Sequence, residues 1–215
     1  FVKGSVMPYV SRGGLKLEKA LKYFDITMTD RVMVDIGSST GGFTDCALQN
    51  KAKRVYAVDV GTNQLVWKLR NDSRVVVKEK TNFRHATTDL FEYELPNIAT
   101  IDVSFISLKL IFEPLKDILN DGDDIVALIK PQFEAGREDV GKKGIVKDAK
   151  IHQRVIENVI SYANECQFSI QNLTYSPITG GEGNIEFLAH FKVGGTNSLL
   201  QVEQVVQEAH DCFKG

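Results

Sequence analysis

An apolar run, Val32 to Ile36, passes directly into Gly37-Ser38-Ser39-Thr40-Gly41-Gly42-Phe43. A strand that ends in a glycine-rich turn opening a helix presents backbone N–H groups to a ligand, the arrangement used for nucleoside-bearing molecules. Further on, Val55 to Val60 carries Asp59 where a second parallel strand would stop, and a carboxylate there accepts hydrogen bonds from both ribose hydroxyls of an adenosine. Gly37, Ser38, Ser39, Gly41, Gly42, Phe43, Asp59 and Val60 are therefore the expected nucleoside site, with Asn82 and Arg84, after the third apolar run, expected along its adenine side. In dinucleotide folds the middle glycine lets the backbone approach a pyrophosphate, and Ser39 stands at that position. Asp35, close before the turn, suits an ammonium or sulfonium better than phosphate. The pattern fits S-adenosylmethionine better than NAD.

Four charged residues interrupt segments that are otherwise apolar. Lys16 lies in Gly14-Leu15-Lys16-Leu17, Asp102 in Ile101-Asp102-Val103-Ser104-Phe105, Lys130 in Leu128-Ile129-Lys130-Pro131, and Glu186 in Ile185-Glu186-Phe187. Ligands in open α/β sheets gather at the carboxyl ends of strands, and Asp102 and Lys130 are placed to meet there. Taken singly, each has a plain structural reading: Lys16 on a helix surface, Asp102 as a strand-end cap, Lys130 at a strand exit, Glu186 on an exposed edge strand.

The same turn allows a competing chemistry. Gly37-Ser38-Ser39-Thr40-Gly41 satisfies the G-x-S-x-G pattern of α/β-hydrolases, with Ser39 as nucleophile and His85, His152, His190 or His210 as its base. That elbow normally follows several strands, and here little chain precedes it.

The elements that must position these residues read as an alternation of Val/Ile-rich runs with amphipathic stretches, which predicts an α/β fold with a doubly wound, mainly parallel sheet. Seven strands are expected: Val32 to Ile36, Arg54 to Val58, Val75 to Lys78, Ile98 to Val103, Asp124 to Ile129, Phe168 to Tyr175 and Ile185 to Phe191. Ser11 is expected to cap a first helix with Leu17, Ala20, Leu21 and Phe24 on one face. Further helices are expected over Gly42 to Gln49, Asn63 to Arg70, Ser107 to Ile118 and Ala149 to Asn164, with a closing one marked by Leu199, Val202, Val206, Ala209 and Phe213. The polar connection Phe133 to Lys147 is long enough for a binding loop.

Composition sets the bounds. The 215 residues support a full domain core, and 43% hydrophobic with 25% charged residues is ordinary globular composition. With 26 Lys and Arg against 28 Asp and Glu, the chain has no overall basic field for a polyanion, so any nucleic-acid contact must be local. Lys142, Lys143, Lys147 and Lys150, with Arg12, Lys19 and Lys22, are the candidates for phosphate contacts. Three scattered cysteines, Cys46, Cys166 and Cys212, suggest a reducing, cytoplasmic setting rather than a disulfide framework or zinc site. No run reaches the roughly 18 apolar residues of a membrane helix, and the closing helix carries Glu203, Glu208 and Asp211, which argues against membrane lysis.

In order along the chain, YVSRGGLKLEKAL, VDIGSSTGGFTD, VYAVDVGTNQLVWKLR, DVSFISL, LIKPQFEAGREDVGKKGIV and GNIEFLAHF resemble the hemolysin A (TlyA) family of FtsJ-like, S-adenosylmethionine-dependent RNA 2′-O-methyltransferases. The resemblance implies a class I, Rossmann-like methyltransferase domain over residues 11–215 and methylation of cytidine ribose in ribosomal RNA or ribosomal subunits. It implies a catalytic tetrad at Lys16, Asp102, Lys130 and Glu186. It also implies an S4-type RNA-binding domain ahead of this chain. Residues 1–10 are then the remnant of its linker, and the start at Phe1 instead of Met fits a piece of a longer protein.

The chemistry suits that set. A ribose 2′-hydroxyl is a poor nucleophile until a base takes its proton, and a lysine does so near neutral pH only where burial or a second ammonium favours its neutral form. Lys130 is the expected base, Lys16 the second ammonium that also orients the hydroxyl, and Asp102 and Glu186 the carboxylates that hold the ammonium groups. Asp102 is also expected to favour the sulfonium.

Overall fold

The computed structural model describes residues 6–214. Phe1 to Ser5 of the expected 1–10 arm, and Gly215, lie outside them. Helix α1 (Gly13–Tyr23) precedes a seven-stranded sheet made of β1 (Val32–Ile36), β2 (Arg54–Val58), β3 (Val75–Lys78), β4 (Ile98–Ile101), β5 (Asp124–Ile129), β6 (Phe168–Tyr175) and β7 (Phe187–Val193). Their order is β3-β2-β1-β4-β5-β7-β6. The first five strands are parallel, and β7 runs antiparallel to both β5 and β6. Central strands β1 and β5 are buried at every position, as both faces of a parallel sheet demand.

Helices cover both faces. On one face α1 and α2 (Gly42–Gln49) bury Leu17, Ala20, Phe43, Cys46 and Leu48 against Met33, Val55, Leu128 and Leu188. On the other, α4 (Lys109–Leu115), α6 (Ala149–Glu165) and α7 (Val202–Cys212) pack Phe112, Val155, Val159, Val206 and Ala209 against Tyr56, Phe168, Phe187 and Phe191. Burial of this apolar area on two faces is what holds a three-layer domain together. No helix of the described residues is long and apolar enough to cross a membrane.

Several local expectations are corrected. Ser11 does not cap α1 with its side chain; its carbonyl accepts from Gly14 N at 3.2 Å, and its hydroxyl lies against Gly42. The helix expected over Asn63 to Arg70 is only α3 (Trp67–Arg70), because Asn63 takes a left-handed conformation and its N–H is held by Glu79. The helix expected from Ser107 starts at Lys109 and ends at Leu115, with Pro114 inside its last turn. β4 stops at Ile101, leaving Asp102 and Val103 beyond the strand. β7 begins at Phe187, so Glu186 precedes it, and its two neighbours make it an interior strand. Leu199 is fully exposed and outside α7. The long connection holds two structured turns, α5 (Pro131–Glu134) and a 3-10 turn at Arg137–Asp139.

Candidate active site

Chain order reverses across the sheet at β1: the path runs outward to β2 and β3, then returns to β4 on the other side. A crevice opens beyond the strand ends at such a switch point. Here the turn after β1 meets the segment after β4 so closely that a Cβ on Gly37 would fall 2.1 Å from the Asp102 carbonyl oxygen. Gly37 also has φ of 85°, so both space and conformation call for glycine. Ser38 and Gly37 N–H groups bond Val58 O at 3.0 and 2.9 Å, and Ser39 N donates to Asp59 Oδ2 at 2.7 Å. Asp59 Oδ1 accepts from Gly61 N at 2.8 Å. The glycine turn and the acidic strand end are thus one hydrogen-bonded unit.

Above that unit lies a cavity of about 370 Å³, lined by Gly37, Ser39, Asp59, Val60, Thr81, Phe83, Asp102, Ser104 and Phe105 among others. A volume of this order suits a small-molecule ligand. Gly37, Ser39, Asp59 and Val60 of the predicted set face it. Ser38 is buried, and Gly41, Gly42 and Phe43 stand behind the turn, forming the left-handed residue before α2 and its first turn. Asn82 caps a 3-10 turn by accepting from Arg84 N at 3.1 Å, and of the stretch Asn82-Phe83-Arg84 it is Phe83 that lines the cavity, beside Thr81. Asp35 is wholly buried and directed at Thr44, whose hydroxyl donates to Oδ2 at 2.7 Å, while Oδ1 has no partner among the described residues. Burial pushes its carboxyl up to about 7.

A second cavity of about 380 Å³ adjoins the first and shares Ser104 and Phe105 with it; Lys130, Gln132, Phe133, Lys143, Asn184 and Glu186 also line it. The Lys130 ammonium stands 2.6 Å from Asp102 Oδ1, so this ion pair reaches from one cavity to the other. Lys130 Nζ also donates to Ser104 Oγ at 3.1 Å. The other two charged residues pair separately: Lys16 Nζ donates to Glu186 Oε1 at 3.0 Å, and Gln132 Nε2 donates to Oε2 at 2.9 Å. A Cβ on Gly180 would lie 1.9 Å from Glu186 Oε2, so a side chain there would have to displace this carboxylate.

Glu134 joins the two loops that carry Asp102 and Lys130. Its carboxyl, raised by burial, accepts from Leu108 N and Ser107 Oγ, both at 2.8 Å, just ahead of α4. Ser104, Gln132 and Glu134 were not singled out by sequence reasoning. The available signal was their place one short step along the chain from Asp102 or Lys130, with polar side chains at strand ends.

Ser39 has no histidine partner. Among the described residues His152 bonds Val146 O and His210, each at 2.8 Å, His190 bonds Asp124 at 2.7 Å, and His85 is exposed. The hydrolase constellation is therefore absent there. Lys142, Lys143 and Lys147 are exposed along the long connection, and Lys150 is exposed in the first turn of α6. Lys19 is engaged within the protein, donating to Tyr175 O at 2.5 Å with its ammonium 3.6 Å from the Tyr175 ring centroid. No cluster of metal-ligating side chains occurs among the described residues, and all three cysteines are free.

Known proteins share this sequence and arrangement. The chain is 58% identical to YqxC of Bacillus subtilis (strain 168), over 99% of this chain and 78% of that protein. It is 41% identical, over 86% of this chain and 69% of the relative, to the 16S/23S rRNA (cytidine-2'-O)-methyltransferase TlyA of Mycobacterium tuberculosis. A solved structure from Streptococcus thermophilus superposes with a TM-score of 0.95 at 56% identity, covering 99% of this chain and 78% of that one. An S-adenosylmethionine dependent methyltransferase from Mesorhizobium loti, at a TM-score of 0.60 and 12% identity over 80% of this chain and 95% of the other, shares the fold alone. The FtsJ-like methyltransferase family matches residues 9–193. With its Rossmann-like sheet and a match over most of its length, the chain belongs to the FtsJ-like methyltransferase family.

Proposed function

We propose that this protein transfers a methyl group from S-adenosylmethionine to the 2′-hydroxyl of a cytidine ribose in ribosomal RNA. The observation that carries the reading is the Lys130–Asp102 pair at 2.6 Å, standing where two adjoining cavities meet. The first cavity fits the cofactor by the chemistry of its lining: Asp59 to accept from ribose hydroxyls, the Ser39 and Gly37 turn for close backbone approach, Val60 and Phe83 as apolar walls. S-adenosylmethionine bound there supplies a methyl already activated by positive sulfur. The second cavity receives the target nucleoside.

Lys130, in its neutral form, takes the hydroxyl proton as the new oxygen–carbon bond forms and the sulfur–methyl bond breaks, leaving S-adenosylhomocysteine. Asp102 holds Lys130 from the cofactor side, and its charge favours a nearby sulfonium. Glu186 holds Lys16, which supplies the second positive charge beside the reacting hydroxyl. Lys143, at the rim of the second cavity, and the exposed lysines after it meet RNA phosphates.

The test is transfer of tritiated methyl from S-adenosylmethionine to ribosomal subunits and to naked ribosomal RNA, followed by digestion to nucleosides. Label in 2′-O-methylcytidine is expected. Label confined to bases, to protein or to small molecules overturns the substrate.

A further inference from the structure

We infer that Ser104 is a positioning residue for the proposed reaction, fixing the direction in which Lys130 presents its lone pair. The inference rests on the reading of Lys130 as the proton acceptor.

A lysine nitrogen has three positions beyond its own Cε. In the ammonium all three are N–H donors; in the neutral amine two are donors and the third is the lone pair. Two acceptors face Lys130 Nζ: Asp102 Oδ1 at 2.6 Å and Ser104 Oγ at 3.1 Å. Asp102, when ionised, can only accept. With both N–H groups directed at these two oxygens, the lone pair is left the third direction. Asp102 alone would leave the amine free to rotate about Cε–Nζ, so that the lone pair sampled two directions. A base must meet the proton that it abstracts in a defined geometry, and small misplacements lower the rate steeply.

Ser104 is well placed for this. It lines both cavities, is exposed, and lies two residues beyond Asp102 on the segment whose far end Glu134 anchors through Ser107 and Leu108. Asp102 and Ser104 are therefore carried on one segment that Glu134 ties to the segment carrying Lys130.

The experiment compares wild type, Ser104→Ala and Ser104→Thr in single-turnover methyl transfer to ribosomal RNA, with calorimetric binding of S-adenosylhomocysteine to each. Ser104→Ala is expected to lower the transfer rate about tenfold, the upper scale of one ordinary hydrogen bond. Cofactor-product affinity and the KM for RNA should stay within about twofold of wild type, well short of the tenfold that 1.4 kcal/mol represents. Ser104→Thr, which keeps the hydroxyl, is expected to restore most of the rate. Ser104→Ala transferring at or above the wild-type rate overturns the inference, the faster case meaning that the hydroxyl donates to the lone pair instead of accepting. Ser104→Thr as slow as Ser104→Ala, or a loss confined to KM or to cofactor-product binding, overturns it as well. A wild type that methylates no ribose overturns both this inference and the proposed function; a methylating wild type with an indifferent Ser104→Ala overturns this inference alone.

Discussion

The two lysine–carboxylate pairs at the strand ends share a composition and differ in surroundings. Lys16 and Glu186 have side chains 11% and 2% exposed, and both Glu186 oxygens are taken, one by Lys16 and the other by Gln132. Lys130 and Asp102 are 11% and 23% exposed, and stand where the two cavities join. The first pair is the more closed: both Glu186 oxygens have protein partners, although the residue also lines the second cavity. The second keeps an open side toward the space where ligands would lie. The pairs therefore differ at their carboxylates: Glu186 is nearly buried with both oxygens bonded inside the protein, whereas Asp102 is more open and stands between the two cavities.

Cutting the closed pair should do the most damage to folding. Glu186→Ala leaves the Lys16 ammonium and the Gln132 amide unpaired in a buried setting, and removal of one partner of such a pair destabilises by about 3–5 kcal/mol. Asp102→Ala, at a more open site, should change stability by about 1 kcal/mol or less while abolishing most methyl transfer. Denaturant unfolding of both variants checks this; equal losses of stability would dissolve the distinction.

Asp35 sharpens the comparison from the other side, as a carboxyl that is fully buried and has no cation against it among the described residues. Its pKa, raised by burial to about 7, stands above the unfolded value near 3.9. The protonated form is therefore favoured by folding, and the associated stability is lost as pH rises through 7. Between pH 6 and pH 8 the wild type should lose roughly 1 kcal/mol relative to Asp35→Asn, which does not titrate there. Parallel unfolding curves for the two across that range would remove the premise that Asp35 is an unpaired buried acid.

Much of the sheet was legible because parallel strands buried on both faces are continuous apolar runs, as at Val32–Ile36 and Asp124–Ile129. The misses fell where backbone detail overrides pattern. Asn63 is left-handed and tied to Glu79, so the helix begins at Trp67. Ile185 reads as strand, yet it follows a 3-10 turn at Gly181–Gly183, and β7 starts only after Glu186, whose carboxylate lies against Gly180. At the site, residue types pointed to the four charged groups, and the geometry pairs them as Lys130 with Asp102 and Lys16 with Glu186. The meeting of Asp102 and Lys130 follows from the strand-end rule, whereas no spacing rule reveals that Lys16 of α1 pairs with Glu186 ahead of β7. Asp35 was expected beside the ligand, but the rotation of its side chain toward Thr44 depends on helix α2 packing over it.

The division between a closed and an open pair is tested most directly by single-turnover methyl transfer to ribosomal RNA by Lys130→Ala, measured beside its affinity for S-adenosylhomocysteine. Loss of a general base predicts a rate at least about 100-fold below wild type, with cofactor-product affinity unchanged. A Lys130→Ala protein that binds the cofactor product and still transfers methyl at the wild-type rate would contradict the account.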